Sequence, residues 1–419
     1  MITGTTISQT LPIAISPILT RLYSPSDFGV LSLYLALTSV MGVIITGRYE
    51  MTIVLSENNK DAFSLAIVGI LISMIISSIF FVIICFFSHQ LSNCLGNDNI
   101  QEWLYVLPLS LLLTGFYQVL IYWYNRNKYY TQLSLSRVIQ NGSAVVIQSS
   151  LGYGKLITQG GLIIGTILGQ FISVAMLIKL NLKTFVELFP SVTYSRLIEN
   201  AKEYRNFPLI SIWGALLDTA SVHTPLFIIS MFFGTSIAGS FSFSFKILTI
   251  PIVLISTSIA QVLFQKINQI HKEKPEEMLS YVSRIFILLS ILCIPFMCIF
   301  LTFGKELFTF AFGKNWSMAG EFASILSLSA GIRFIVSPLS ALLLLKHNVK
   351  KAVVWQICYF ALSTTLFLYT DRPIEIFLKI FVSYEIMMYG IYLIIIFFAA
   401  RFKRDPTKTA KISSLVLES

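Results

Sequence analysis

The sequence predicts an all-α polytopic membrane protein, with about twelve transmembrane helices in two six-helix lobes around a central cavity. Three observations predict it. Of 419 residues, 55% are hydrophobic and only 12% charged; apolar stretches of membrane-spanning length recur along the chain; and Lys and Arg alternate between rich and poor in successive loops. A soluble domain carries charge on roughly a quarter of its residues, so this chain has too little polar side chain to cover a soluble surface. Thirty-four Phe and eighteen Tyr suit helices that face lipid and its interface.

About 30 Å of hydrocarbon at 1.5 Å per residue requires roughly 20 helical residues. Twelve stretches qualify: 2–22, 28–46, 63–87, 103–122, 133–151 and 160–180, then 209–233, 237–263, 281–303, 322–345, 352–369 and 374–400. The first lacks a basic leader and a cleavage site, so it reads as a retained helix and not as a signal peptide. The fifth and tenth are the most polar, because of Arg137, Asn141 and Gln148 in one and Arg333 in the other. Between the sixth and seventh runs the longest polar segment, which divides the chain into an N-terminal lobe (1–182), a linker (183–207), a C-terminal lobe (208–400) and a basic tail (401–419).

Loop charge tests this count independently of hydropathy, since one missing span would scramble every later loop. Loops assigned to the cytoplasm hold 18 Lys and Arg, the last five in the tail from Arg401 to Lys411; external loops hold Arg21, Lys155, Lys305, Lys314 and Arg372. Both termini are therefore expected in the cytoplasm. The same bias accounts for 30 basic against 20 acidic residues without invoking nucleic acid. Around Arg21, LYSPSDFGVLSLYLAL has a weak counterpart in FFGTSIAGSFSFSFKI near Phe232, with Gly29 falling on Gly239. Six helices per half make such repeats parallel.

The run from Pro17 to Gly29, PILTRLYSPSDFG, and the triplet Arg48, Tyr49, Glu50 in GRYEMTIVLS resemble the start of Wzx-type O-antigen and polysaccharide flippases. These belong to the polysaccharide transporter family of the multidrug/oligosaccharidyl-lipid/polysaccharide exporter superfamily. The resemblance in motif covers about the first 60 residues; helix count, two-lobe division and termini agree over the whole chain. It implies a flippase of the bacterial inner membrane, which moves an undecaprenyl-pyrophosphate-linked oligosaccharide to the periplasmic leaflet by alternating access. A glycan polymerase or chain-length regulator would act downstream as a partner. Family members usually carry several residues before the first helix, a departure that leaves a start upstream of Met1 open.

An ionisable group inside a span is costly and usually faces a cavity or a partner. Arg137 shares a helical face with Ser134, Asn141 and Gln148; Lys246 with Gly239, Ser242, Thr249 and Ser256; Arg333 with Ser329, Ser337 and Ser340. Three cations on separate helices suit a pyrophosphate, which takes charge-assisted hydrogen bonds. The alternatives are that Asp218 and Lys246 pair between helices and that Arg137 reaches back to the cytoplasmic surface. Asp218, with Ser211, Gly214 and Ser221, and Glu385, with Tyr389 and Tyr392, are candidates for ion coupling, or for structural salt bridges. Arg48 and Glu50 lie where the second helix leaves the membrane, as a gate, a head-group contact or an interfacial ion pair. Glu375 and Lys379 are expected to pair at i,i+4. Pro25 and Asp27 read as a turn and an N-cap, with Gly29 allowing close packing. Tyr122, Trp123, Tyr124, Tyr129 and Tyr130 read as an interfacial belt.

Other functions fit less well. No G-x-x-x-x-G-K-[ST] motif is present, so ATP is not the direct energy source. Five Cys without a CxxC and four His without metal spacing indicate neither a disulfide framework nor a zinc site, and the Cys read as small packing residues. No metal or cofactor is expected. A drug or organic-cation antiporter of the same superfamily would favour an acidic, aromatic cavity, whereas the intramembrane charges here lean cationic. A membrane polymerase or ligase would need catalytic groups on a large external loop; those segments are short, and His89 stands there without an acidic or nucleophilic partner. The chain is read as a non-enzyme.

Overall fold

The computed structural model describes residues 2–154, 160–344 and 349–401, and no strand occurs among them. The first half holds α1 (Ile2–Leu22), α2 (Pro25–Gly42), α3 (Asn59–Cys94), the single turn α4 (Gln101–Leu104), α5 (Leu107–Arg126), α6 (Tyr130–Tyr153) and α7 (Gly161–Leu180). Two short helices follow, α8 (Leu182–Leu188) and α9 (Tyr194–Glu203). The second half holds α10 (Ile212–Phe233), α11 (Thr235–Glu273), α12 (Met278–Phe312), α13 (Ser317–Leu339), α14 (Val349–Thr364) and α15 (Ile374–Ala400). Apart from α4, α8 and α9, these helices answer one for one to the twelve expected spans.

Among the described residues, eight helical segments are long and apolar enough to cross a membrane by themselves. The remaining four helices are shorter or more polar and are supported by neighbours: α1 lies along α6, α2 along α11, and α14 along α10. At 39 residues, α11 is about 58 Å long, so its last turns run well beyond a bilayer. Prolines stand inside α1, α10, α11, α12 and α13. Spanning helices tolerate them because adjacent helices and hydroxyl side chains satisfy the freed carbonyls.

An even number of crossings puts the start of α1 and the end of α15 on one face of the bundle, the terminal face. The lobes meet at the opposite, far face. There α2 and α11 cross with Gly29 and Gly239 in contact: a Cβ on Gly239 would lie 1.8 Å from the Pro25 carbonyl oxygen, and one on Gly29 would lie 2.1 Å from that of Thr235. The paired glycines of the sequence repeat thus touch. Close by, Ser242 Oγ donates to Ser32 Oγ at 2.6 Å, Ser230 Oγ to the Leu95 carbonyl at 2.9 Å, and Trp316 Nε1 to the Thr20 carbonyl at 3.0 Å. Trp316 is fully buried against Phe28 and Phe243, with ring centroids 4.9 and 4.5 Å away. Gly239→Ala should lower stability by about 1–3 kcal/mol, because backbone must move to admit the methyl; an unchanged melting temperature would argue against so tight a crossing.

Several local expectations need correction. The N-cap of α2 is Ser24, not Asp27; Pro25 occupies the first turn, and Asp27 closes a capping box by accepting from the Ser24 amide at 2.8 Å. Trp123 and Tyr124 are core and not interfacial belt: both are buried, and the Tyr124 hydroxyl donates to the Leu177 carbonyl at 2.7 Å. Tyr129 and Tyr130 are exposed, as a belt requires. Glu375 and Lys379 are exposed and do not pair with each other. Among the cysteines only Cys293 is buried; Cys85, Cys94, Cys298 and Cys358 are exposed. Lys155, Lys346 and the tail beyond Arg401 lie outside the described residues.

The inter-lobe segment, expected as polar linker, is built on the N-terminal lobe. Phe185 of α8 stacks on Phe63 at 5.9 Å and meets Trp123 at 5.8 Å. Arg196 of α9 pairs with Asp61 at 3.2 Å, and the Tyr49 hydroxyl donates to the Ala201 carbonyl at 2.8 Å. Aromatic contact anchors the first helix and polar contact the second.

Candidate functional site

Away from the far-face joint, the lobes stand apart around two recesses of about 160 and 190 Å³, on either side of α11. Lys246 lines both. The first recess also takes Gln140, Asn141 and Gln148 from α6 with Ser16 from α1; the second takes Ser32, His223 and Ser242. Lys246 lies deep between the lobes, yet its side chain is exposed to the cavity. It makes no ion pair or hydrogen bond with any described residue.

The proposed pairing of Lys246 with Asp218 is absent. Asp218 is exposed on α10 and accepts a 3.2 Å hydrogen bond from Gln356 Nε2 of α14. On the α11 face, Gly239 and Ser242 serve the far-face joint, while the Lys246 side chain is exposed and open to a ligand.

The other two cations are placed differently. Arg333 of α13 pairs with Glu385 of α15, Nε to Oε2 at 2.5 Å. The Tyr359 hydroxyl donates to the second Glu385 oxygen and accepts from Arg333 Nη2 at 3.2 Å. The guanidinium also lies over the rings of Phe245 and Tyr389, 5.0 and 5.2 Å from their centroids. Arg333 is 16% exposed and Glu385 wholly buried. A candidate path cation and a candidate coupling carboxylate thus form one closed, nearly neutral unit. Arg137 of α6 is half-buried, and the recess wall is made by its neighbours Gln140 and Asn141. Asn141 Nδ2 also donates to the Ser8 carbonyl at 2.7 Å, and Gln148 Nε2 to the Leu162 carbonyl at 2.9 Å, so this stripe both ties helices together and faces the cavity.

Arg48 and Glu50 sit at the terminal face, where α2 ends. Gly47 and Arg48 both take positive φ, +61° and +63°, a conformation that favours glycine and costs about 1–2 kcal/mol for Arg. Glu50 is buried and accepts from the Thr46 hydroxyl, with Arg48 at 3.8 Å. Burial pushes the Glu50 carboxyl above its usual range, opposed by the Thr46 hydrogen bond and the Arg48 charge. The pair is therefore partly sequestered and not an open interfacial contact.

Sequence reading missed Tyr359, Gln356, Trp355 and His223. The first three, with Ser363, form a polar and aromatic stripe on the eleventh span at i, i+1, i+4 and i+8 spacing that marks one helix face. Trp355 stacks on Tyr392 at 4.2 Å and on Tyr359 at 5.1 Å, and so braces the buried ion pair. His223 was detectable as an ionisable residue within a span.

Comparison with known proteins adds to this geometry. A family model described as polysaccharide biosynthesis protein matches residues 18–321. The succinoglycan biosynthesis transport protein ExoT of Rhizobium meliloti (strain 1021) is 21% identical over 326 residues, 75% of this chain and 62% of that protein. The chain thus spans about three-fifths of the length of that relative. Among solved structures, the inward-facing conformation of a multidrug resistance MATE family transporter of the MOP superfamily superposes with a TM-score of 0.74 at 12% identity, over 98% of this chain and 96% of that one. The lipid II flippase MurJ, in an inward closed conformation, gives 0.64 at 15% identity, over 95% and 96%. At such identities the two superpositions establish a shared fold.

Proposed function

We propose that this chain, which belongs to the polysaccharide biosynthesis protein family, is a flippase for an oligosaccharide carried on undecaprenyl pyrophosphate. The terminal face is the cytoplasmic face of a bacterial inner membrane, and the cavity takes up the pyrophosphate and sugar there and releases them at the far face. The observation that carries this reading is Lys246, a cation without an ionic partner among the described residues, in a cavity between two lobes and beside amide and hydroxyl side chains. A pyrophosphate supplies the missing anion, and hydrated sugar matches Gln140, Asn141 and Ser16. The polyprenyl tail stays in lipid. An organic-cation exporter would not leave an ammonium open at this position.

Lys246→Ala should reduce surface glycan at least about tenfold at normal protein abundance, since one charge-assisted hydrogen bond contributes about 1.5–3 kcal/mol. Lipid-linked repeat units should accumulate in the inner leaflet, as they should when the gene is deleted, and Lys246→Arg should restore part of the export. Undiminished glycan in the Lys246→Ala strain would remove the assignment of this residue. Undiminished glycan in the deletion strain would remove the flippase reading itself.

A further inference from the structure

On the outer flank of the N-terminal lobe, near the terminal face, α3, α5, α7 and α8 leave an apolar groove of about 290 Å³. It lies apart from the inter-lobe cavity. Phe63 to Ile70 on α3 and Phe116 to Trp123 on α5 mark its length. Seven residues of helix are about 10 Å, so the groove runs through most of one leaflet's hydrocarbon, roughly 15 Å deep. Its outer lip is α8 and the turn that follows it, where Val186 and Phe189 are 63% and 65% exposed. In a bilayer the neighbour on that side is lipid.

Charge at the rim says which lipid. Lys179 at the end of α7 and Lys183 at the start of α8 are exposed and without an ion pair among the described residues. Lys60, one turn before Phe63 on α3, is exposed as well. Glu187 is the acidic residue of α8; Asp61 is already taken by Arg196. Trp123, buried in the groove wall, adds the apolar face of an indole beside Phe63 and Phe185.

We propose that the groove is a binding site for one acyl chain of an acidic phospholipid, with its phosphate held at Lys179 and Lys183. The bound lipid fills the space between α8 and the lobe, and so fastens the inter-lobe segment to the N-terminal half. This proposal does not depend on the transport reading, and its test uses no transport assay.

The full chain, purified in neutral detergent, is melted with phosphatidylglycerol or with phosphatidylcholine of identical chains. Phosphatidylglycerol should raise Tm by about 3 °C more than phosphatidylcholine, as binding to the native state alone requires. Lys179→Ala with Lys183→Ala should abolish the difference. Val186→Trp, at an exposed position that folding does not require, should fill the mouth of the groove and reduce the rise from both lipids. Equal rises in the parent chain would overturn the head-group assignment. An acidic preference that survives both sets of substitutions would place the lipid on some other basic surface and overturn the site.

Discussion

Arg333→Ala is expected to remove most of the folded protein from the membrane, and not to leave a full complement of inactive transporter. Glu385 is wholly buried and spends both carboxylate oxygens on Arg333 and Tyr359. Removing one partner of a buried pair costs about 3–5 kcal/mol, because the other charge stays desolvated without compensation. The arginine also gives up its contacts with the faces of Phe245 and Tyr389. Against a total stability of about 5–15 kcal/mol that loss is large. The triple change Arg333→Leu, Glu385→Leu and Tyr359→Phe should restore abundance, since apolar side chains of similar volume replace a buried ion pair at little cost once the Tyr359 hydroxyl, which bonds to both, is also removed. Immunoblots of membranes and melts of purified protein read both outcomes. Normal abundance of Arg333→Ala together with failed export would return Arg333 to the substrate path.

The contrast between Arg333 and Lys246 marks what a sequence of this kind discloses. Both stood out as cations on polar faces, because helical periodicity tells which residues share a face. Periodicity does not tell which other helix that face meets. Arg333 and Glu385 are 52 positions apart on α13 and α15, and only packing brings them together. Lys246 keeps the open role because no carboxylate of the described residues reaches it, whereas Glu385 closes on Arg333. Trp123 and Tyr124 were misjudged for a related reason. An aromatic run at a helix end usually lies in the interface, but here α7 and α8 fold over it and make it core. The span count was legible because hydropathy is a property of one segment at a time. The Gly29 and Gly239 correspondence was legible as a repeat, and its contact follows from symmetry, since equivalent residues near a two-fold axis meet each other.

That joint supplies the second large effect. Ser32→Cys with Ser242→Cys, once oxidised, is expected to stop export almost completely and to release it on reduction. The two hydroxyls are 2.6 Å apart, next to a helix crossing tight enough to exclude a Cβ. Side chains that close approach the 2.03–2.05 Å of a disulfide with little adjustment. Five native cysteines, four of them exposed, must first be replaced so that the new bond has no competitors. A cavity that loads at the terminal face and unloads at the far face has to part α2 from α11, and with them Trp316 from the Thr20 carbonyl and Phe28 from Phe243. A covalent link holds this joint shut while Lys246 stays accessible, so substrate should still bind but not cross. Gly239→Ala perturbs the same joint in the opposite sense: it weakens closure, where the disulfide prevents opening. Full export by the oxidised pair, with the bond verified by mass spectrometry, would mean that substrate crosses without separating the lobes here, and alternating access about this crossing would have to be abandoned.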